Sequence, residues 1–236
     1  MKTRIEHLFF LLTLIIALGL SAADPLSAQS VTTPLGHTFS TLYVFTDHAD
    51  GDTPVSGLVL SGDTLYGTAS EGGSGSYDRG SLFAVKTDGT ASSILHTFSR
   101  FDESNPQGNL VLSSNILYGT TLLSAVGDGS VFAINTDGTG YTVLHRFFAF
   151  KEGYGPEAGL LLSGNKLYGT TYSGGSNDAG TVFSLNTDGS EFRTLHDFRG
   201  AVTDGAHPKG TLILAGSILY GTTFYGGSND NGRCSG

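Results

Sequence analysis

A unit of about 50 residues recurs along this chain of 236 residues, and the repetition limits the folds open to it. The word LYGT places Tyr66, Tyr118, Tyr168 and Tyr220 at intervals of 52, 50 and 52 residues. Three other words recur in a constant order: an aromatic strand before a Thr-Asp-Gly turn, a strand with Leu-His-x-Phe, and a loop that runs into an apolar strand. The sequence therefore predicts a tandem array of one supersecondary unit.

Each unit contains four short runs of strand character, and the best-formed unit shows them most clearly. They read GLLLS (strand A), KLYGTTY (strand B), GTVFSLN (strand C) and FRTLHDF (strand D). A tight SGN turn joins A to B, and the Asp-Gly of NTDGS supplies the positive-φ positions of a C–D hairpin. No helical period appears beyond the N-terminal apolar run, so the fold class is all-β. Four antiparallel strands in a repeat of about 50 residues predict a β-propeller blade.

Three units are complete, and the two ends of the chain carry partial ones. The run STLYVF near the start matches strand D, and GTLILAGSILYGTTFYGG near the end matches strands A and B. One alternative is a composite fourth blade whose C strand comes from Leu26–Thr33, and the other is truncation of a longer repeat array. We divide the chain into a signal peptide (1–23), an N-terminal segment that could close the ring (24–36), the repeat domain (37–230) and an off-pattern tail (231–236).

The N-terminus indicates an exported protein, and the net charge limits its partners. Lys2 and Arg4 precede an apolar run of 13 residues, Leu8 to Leu20, which is short for a membrane span. The small residues Ser21 and Ala23 follow this run and indicate cleavage after Ala23; cleavage after Ala28 and an uncleaved membrane anchor are the alternatives. The net charge of −9 argues against nucleic acid and anionic membranes as partners. We therefore expect a secreted or cell-surface protein without membrane insertion after cleavage.

The repeated words resemble one known family. LYGTTYSGGSNDAGTVFSLNTDGSEFRTLHDF and DGAHPKGTLIL are similar to the units of the bacterial GloVer tandem-repeat proteins, also called choice-of-anchor proteins, over residues 40 to 230. A more distant similarity links the period and the Gly-Gly after strand B to kelch propellers. The GloVer resemblance implies an exported repeat protein, and it carries over no catalytic residue.

The strand order predicts where a ligand would bind. The D–A and B–C loops should emerge together, and we call their surface the loop face; the A–B and C–D turns, on the opposite side, are short. Binding residues usually lie on loops that a rigid scaffold holds. The candidate ligand-binding residues are the polar and aromatic side chains of the loop face: Asp50, Asp52, Asn105, Glu157, Tyr172, Asn177, Asp178, Asp204, His207, Tyr225, Asn229 and Asp230. The same residue types also form turns and solvated loop ends.

Catalysis and metal binding have weaker support in the sequence. His96, His145 and His196 belong to strand D of different units, where Tyr43 takes the fourth position, so a structural use of a planar ring is favoured over a shared metal. We expect no metal, no cofactor and no catalytic residue. The function indicated is a non-catalytic binding or surface module for a glycan or another surface protein. The alternative is a propeller hydrolase or lyase acting on polysaccharide, for which Asp102 and Glu103 are the nearest pair of acids.

Overall fold

The computed structural model describes residues 30–32, 38–45, 50–73, 79–99, 103–124, 127–148, 151–200, 204–226 and 233–235. These residues form strands, turns and loops, and none of them is helical. The chain divides into two units, Met1–Thr41 and Leu42–Gly236. In the first unit, β1 (Ser30–Thr32) pairs with β2 (Thr38–Ser40) as a two-stranded antiparallel sheet. The predicted signal peptide lies outside the described residues.

The second unit contains four sheets, which follow one another along the chain. The first sheet consists of β3 (Val59–Ser61), β4 (Thr64–Ala69), β5 (Ser81–Lys86) and β6 (Ser92–Thr97). The second sheet consists of β7 (Glu103–Pro106), β8 (Val111–Ser113), β9 (Ile116–Ser124), β10 (Ser130–Asn135) and β11 (Thr142–Arg146).

The third sheet repeats the first, and the fourth is shorter. The third consists of β12 (Leu161–Ser163), β13 (Lys166–Thr171), β14 (Thr181–Asn186) and β15 (Arg193–Asp197). The fourth consists of β16 (Ala206–Pro208), β17 (Ile213–Ala215), β18 (Ile218–Tyr225) and β19 (Arg233–Ser235). Sheets one and three have the antiparallel order A-B-C-D, as the repeat predicted. In sheets two and four, a short extra strand pairs with strand B on the same side as strand A: β7 pairs with β9, and β16 pairs with β18.

The glycine of LYGT is required by the neighbouring strand C. Gly119 faces Phe132 in the register, and a Cβ on Gly119 would lie 2.5 Å from the Phe132 ring and 2.9 Å from Leu110. Gly67 meets Phe83 and Leu58 in the same way, at 2.6 and 2.7 Å. Because the edge of the ring occupies the space beside the glycine, any side chain at this position would displace the ring. The close approach at this glycine is thus made by a ring of strand C in the same sheet.

The C–D turns confirm the structure expected of the Thr-Asp-Gly words. Asp137 accepts hydrogen bonds from the Thr139 backbone nitrogen at 2.9 Å and from its hydroxyl at 2.6 Å. The hydrogen bond from the Thr139 hydroxyl lowers the pKa of Asp137. Gly138 has a φ of 84° and faces the Leu95 backbone of the preceding unit. Asp88 and Asp188 bond to Thr90 and Ser190 in the same pattern.

Successive sheets pack face to face and share their cores. One core lies between sheets one and two, a second lies between sheets two and three, and a smaller cluster of Ala179, Phe198 and Ala206 lies between sheets three and four. The first contains Tyr66, Leu82, Ala84, Phe98, Leu110, Leu117, Phe132 and Ile134. The second contains Tyr118, Val131, Ala133, Phe147, Leu160, Leu167, Phe183 and Leu185. The identical register of the LYGT tyrosines and of the strand C phenylalanines in each unit predicts that all of them are largely buried. Phe132 and Phe183 are fully buried and Phe83 nearly so. Tyr66 and Tyr118 are buried too, whereas Tyr168 and Tyr220 are only half-buried, because the incomplete fourth sheet offers them less cover.

Planar rings in strand D join one sheet to the next. His96 stacks on Tyr141 of the following unit, with ring centroids 3.9 Å apart and an interplanar angle of 9°. His145 stacks on Phe192 at 3.7 Å and 6°. The histidines therefore have structural contacts, as the exchange of histidine for Tyr43 indicated.

Each pairing of strands C and D contains a shift of register. The shift falls between Leu82 and Phe83, and again at the equivalent positions Val131 and Val182. It leaves one extra residue on strand D in each of the three sheets, namely Leu95, Leu144 and Leu195. Such an insertion is a β-bulge, which bends the strand and increases its twist.

The two ends of the array differ from the repeat. Leu58 is 56% exposed, whereas its equivalents Leu110 and Leu160 are buried at sheet junctions. In the fourth sheet, β19 of the predicted off-pattern tail pairs with β18 in the position of strand C, and Ser235 faces Gly221 where the other sheets have phenylalanine. The described part of the proposed closing strand, β1, pairs with β2, so the described residues form no composite blade. Residues 41–45, expected as the end of a D strand, have no strand pairing.

Truncation of the strand C phenylalanines should destabilise the protein strongly. Phe132→Ala and Phe183→Ala each leave a cavity between two sheets, so we expect a loss of about 3–5 kcal/mol in the free energy of unfolding. Phe148→Ala is the control, because Phe148 is 52% exposed and should lose only about 0.5 kcal/mol. Urea denaturation measures the loss, and values below about 1 kcal/mol at both core positions would contradict the packing described.

The stability of the protein should fall on acidification partly through His145. Burial lowers the pKa of this imidazole below its usual 6.5, and the Glu152 carboxylate 3.2 Å away offsets burial only in part. Below pH 6.5 the unfolded chain therefore binds the proton more readily than the folded protein, and stability is lost as the pH falls through 6.5 toward the folded pKa. His145→Gln should reduce the difference in Tm between pH 7.5 and pH 5.5. Equal differences in variant and wild type would show that His145 does not contribute.

Candidate functional site

The loop face is held together by one repeated hydrogen bond between neighbouring units. The residue before the D–A proline donates its backbone N–H to a carbonyl at the end of the preceding B–C loop. The three pairs are Asn105 to Arg79, Gly155 to Asp128 and His207 to Ala179, each at 2.8 Å. D–A and B–C loops thus lie side by side at three junctions, as the strand order predicted.

This hydrogen bond depends on an uncommon backbone conformation. Asn105, Gly155 and His207 have φ values of 56°, 66° and 56°, and Thr53 has 57° at the equivalent position of the first unit. Left-handed conformations are easy for glycine and tolerated by asparagine, but they strain threonine and histidine. At His207 the strain is offset by a second contact, because its Nδ1 lies 2.9 Å from the Tyr172 carbonyl oxygen. Since a carbonyl only accepts, Nδ1 carries the hydrogen.

The junction between sheets three and four gathers aromatic and charged side chains. The Lys209 Nζ lies 4.6 Å from the centroid of the Tyr172 ring and 5.7 Å from that of Phe224. The His207 ring lies 4.6 Å from Tyr172 and 5.7 Å from Tyr225. Phe224 and Tyr225 are 54% and 42% exposed, so their rings are open to solvent. We call Glu157, Tyr172, His207, Lys209, Phe224 and Tyr225 the junction cluster.

The charges of the junction cluster compensate each other. Glu157 Oε2 lies 3.0 Å from Lys209 Nζ, and this hydrogen bond raises the pKa of the lysine, which stays protonated at neutral pH. The ammonium group above the Tyr172 ring also has a cation–π attraction. The cluster thus presents two exposed rings beside hydrogen-bonding groups with little net charge. Such a surface suits a ligand with apolar faces and hydroxyl groups.

Two of the predicted acids bond to planar side chains at the strand D position and so stabilise the scaffold. The Tyr43 hydroxyl donates to Asp50 at 2.8 Å, and His196 Nε2 lies 2.9 Å from Asp204. His145 and Glu152 form the same kind of pair at 3.2 Å. Asp204 also accepts from the Arg199 backbone nitrogen at 2.8 Å. These acids orient the planar rings of strand D and the D–A loops beside them.

Other predicted residues of the loop face are also engaged within it. Asp178 accepts from the Tyr154 hydroxyl and from the Gly174 backbone, both at 2.9 Å. The Asn105 side chain donates to the Ser70 carbonyl at 3.1 Å, and Asp52 pairs with Glu71 through its backbone. Asn177 is exposed beside Asp178. Asn229 and Asp230 lie outside the described residues. Of the predicted set, the structure brings Glu157, Tyr172, His207 and Tyr225 together.

The sequence reasoning missed two members of the junction cluster, Lys209 and Phe224. Lys209 follows the repeated proline, where the other units have Val55, Gln107 and Glu157. That variation within an otherwise repeated word was the available signal. Phe224 is the counterpart of Tyr172 in the fourth unit, so comparison of the two B strands would have found it.

Of the two acids of the enzymatic alternative, the structure describes Glu103, and it is not open to a substrate. Glu103 is fully buried, and its Oε1 lies 2.8 Å from the Nε of Arg146. Asp102 lies outside the described residues. A glycosidase needs two acids that both reach the substrate. The buried Glu103 instead links a D–A loop to β11.

The described residues contain neither a metal-binding group of side chains nor a membrane-spanning helix. No group of three or more His, Cys, Asp or Glu side chains there is placed to hold a metal ion. The same residues include no helix with the length and hydropathy to cross a membrane.

Comparisons with known proteins give similar solved structures, two of which are described here, and one family. A structure titled as a nidogen/laminin complex matches with a TM-score of 0.44 and 15% identity, over 69% of this chain and 68% of that chain. A putative TolB from Agrobacterium tumefaciens matches with a TM-score of 0.44 and 12% identity, over 88% of this chain and 68% of that chain. None of the curated proteins compared with the chain matches it. The sequence profile of the Gloeobacter/Verrucomicrobia repeat matches residues 73–234, well over half of the sequence, and the chain therefore belongs to this repeat family.

Proposed function

We propose that the chain is an exported, non-catalytic binding module, that its four sheets are consecutive blades of a β-propeller, and that its ligand is a neutral carbohydrate. The blade assignment is supported by the face-to-face packing of successive sheets and by the hydrogen bond that recurs at three junctions. Export is supported by the basic and apolar N-terminus.

The junction cluster is the observation that carries the binding proposal. Phe224 and Tyr225 expose large parts of their rings next to the Glu157–Lys209 pair. The C–H faces of a sugar ring pack on aromatic rings, and its hydroxyls bond to carboxylate and ammonium groups. A charged ligand has less support, because Lys209 is already paired and the net charge of −9 repels anions.

Rigid support of the cluster favours binding over a merely solvated surface. His207 is held by its backbone bond to Ala179 and its ring contact with the Tyr172 carbonyl. Lys209 lies between rings of two successive units, so the site joins both sheets. Groups that are already ordered lose little conformational entropy when a ligand binds.

The double variant Phe224→Ala/Tyr225→Ala should weaken carbohydrate binding at least tenfold, since truncation of central aromatic residues commonly costs more than about 1.4 kcal/mol of binding energy. The probes are cellohexaose, xylohexaose, maltohexaose and chitohexaose, measured by isothermal titration calorimetry. Asp137→Ala is the control, because this C–D turn lies on the side opposite the loop face. It should lower Tm and leave the affinity unchanged.

The outcomes separate the proposal from its alternatives. Binding of no oligosaccharide, or binding that the double variant retains, would refute the carbohydrate site. Saturable binding to another surface protein that is lost in the double variant would keep the site and replace the ligand. Release of new reducing ends or unsaturated sugars by the wild type would establish the hydrolase or lyase alternative.

A further inference from the structure

A flat ring fills the same position at two sheet junctions. Tyr141 stacks on His96 and lies 5.7 Å from Phe132, and Phe192 stacks on His145 and lies 5.9 Å from Phe183. Each of these rings immediately precedes strand D of its unit and occupies the gap between the strand C phenylalanine and the preceding unit.

The first sheet has a serine at this position. Phe83 pairs with Ile94 as Phe132 pairs with Val143, so the register makes Ser92 the equivalent of Tyr141. The other parts of the junction are present, because Tyr43 takes the position of the histidine. Its ring meets Phe45 edge-on at 5.0 Å, and Phe45 meets Phe83 at 5.1 Å. Phe98 and Phe147 make the same edge contacts at the later junctions.

A hollow of about 210 Å³ lies where the ring would be. It is lined by Tyr43, Phe83, Val85, Ser92, Ser93 and Ile94. Phe83 and Val85 are buried and form firm walls, and Ile94 lies at the exposed edge. In another protein, an engineered apolar cavity of about 150 Å³ binds benzene, so this space is sufficient for one six-membered ring.

We propose that this hollow is a binding site for a planar aromatic ring, which takes the position that Tyr141 and Phe192 occupy at the other junctions. Two contact types define the selectivity: the phenylalanine and tyrosine walls favour an aromatic face, and the two serine hydroxyls allow one polar substituent. The ring comes either from a small aromatic molecule or from an aromatic side chain of a protein. The site is independent of the junction cluster and of its carbohydrate ligand.

The first test uses p-cresol, the analogue of the tyrosine side chain, with the purified protein labelled with ¹³C at its methyl groups. We expect saturable binding and nuclear Overhauser contacts from p-cresol to the methyl groups of Val85 and Ile94. Contacts only to methyl groups elsewhere, or no saturable binding, would overturn the proposal. This measurement needs no variant.

The second test fills the hollow from within. Ser92→Tyr restores the repeat, so it should raise Tm by about 2–4 °C and weaken p-cresol binding at least tenfold. Ser217→Tyr, which adds the same ring at an exposed A–B turn, should change neither quantity. A lower Tm for Ser92→Tyr, or undiminished p-cresol binding in it, would contradict the proposal.

The source of the ring is distinguished by a peptide. If acetyl-Gly-Tyr-Gly-amide binds at least as tightly as p-cresol and competes with it, the natural occupant is a protein side chain. Binding of p-cresol alone identifies a small molecule. Failure of both to bind refutes the aromatic site.

Discussion

The stacked contact between a strand D ring and an aromatic residue of the next unit is the interaction on which the array depends. His96 and Tyr141, and likewise His145 and Phe192, stack across the space between two successive sheets. A single sheet leaves this ring and its strand C phenylalanine uncovered. Each unit therefore reaches its full stability only with a neighbour, which is the physical basis of repeat proteins. Glu152 and Asp204 bond to the histidine rings of strand D, so these contacts also connect the D–A loops to strand D.

The part of the structure that follows from local chemistry could be predicted from the sequence. The spacing of Tyr66, Tyr118 and Tyr168 identified the repeat. The Thr-Asp-Gly words identified the C–D turns, because two local properties define such a turn: a glycine with positive φ, and an aspartate that bonds to the residue two positions after it. The burial of Phe132 and Phe183 followed from their identical register. The position of the loop face followed from strand order alone, without any knowledge of distances.

The contents of the candidate site could be predicted only in part, because its contacts join residues far apart in the sequence. Asp50 and Asp204 are acids like Glu157, yet they bond to the Tyr43 hydroxyl and to the His196 ring and belong to the scaffold. Lys209 contacts Tyr172 across a junction whose geometry no local pattern encodes. The same holds for β19, whose sequence departs from the repeat but whose backbone completes a ladder beside β18. Backbone pairing tolerates such departures because it does not require particular side chains.

The register shift at Leu95, Leu144 and Leu195 has a consequence for the protein in concentrated solution. Strand D is the outermost strand of its sheet, and a long straight outer strand offers its N–H and C=O groups to any similar strand of another molecule. The extra residue interrupts that row and twists the strand out of plane. A chain in which unit after unit ends in an open strand is thereby protected against edge-to-edge fusion into fibrils.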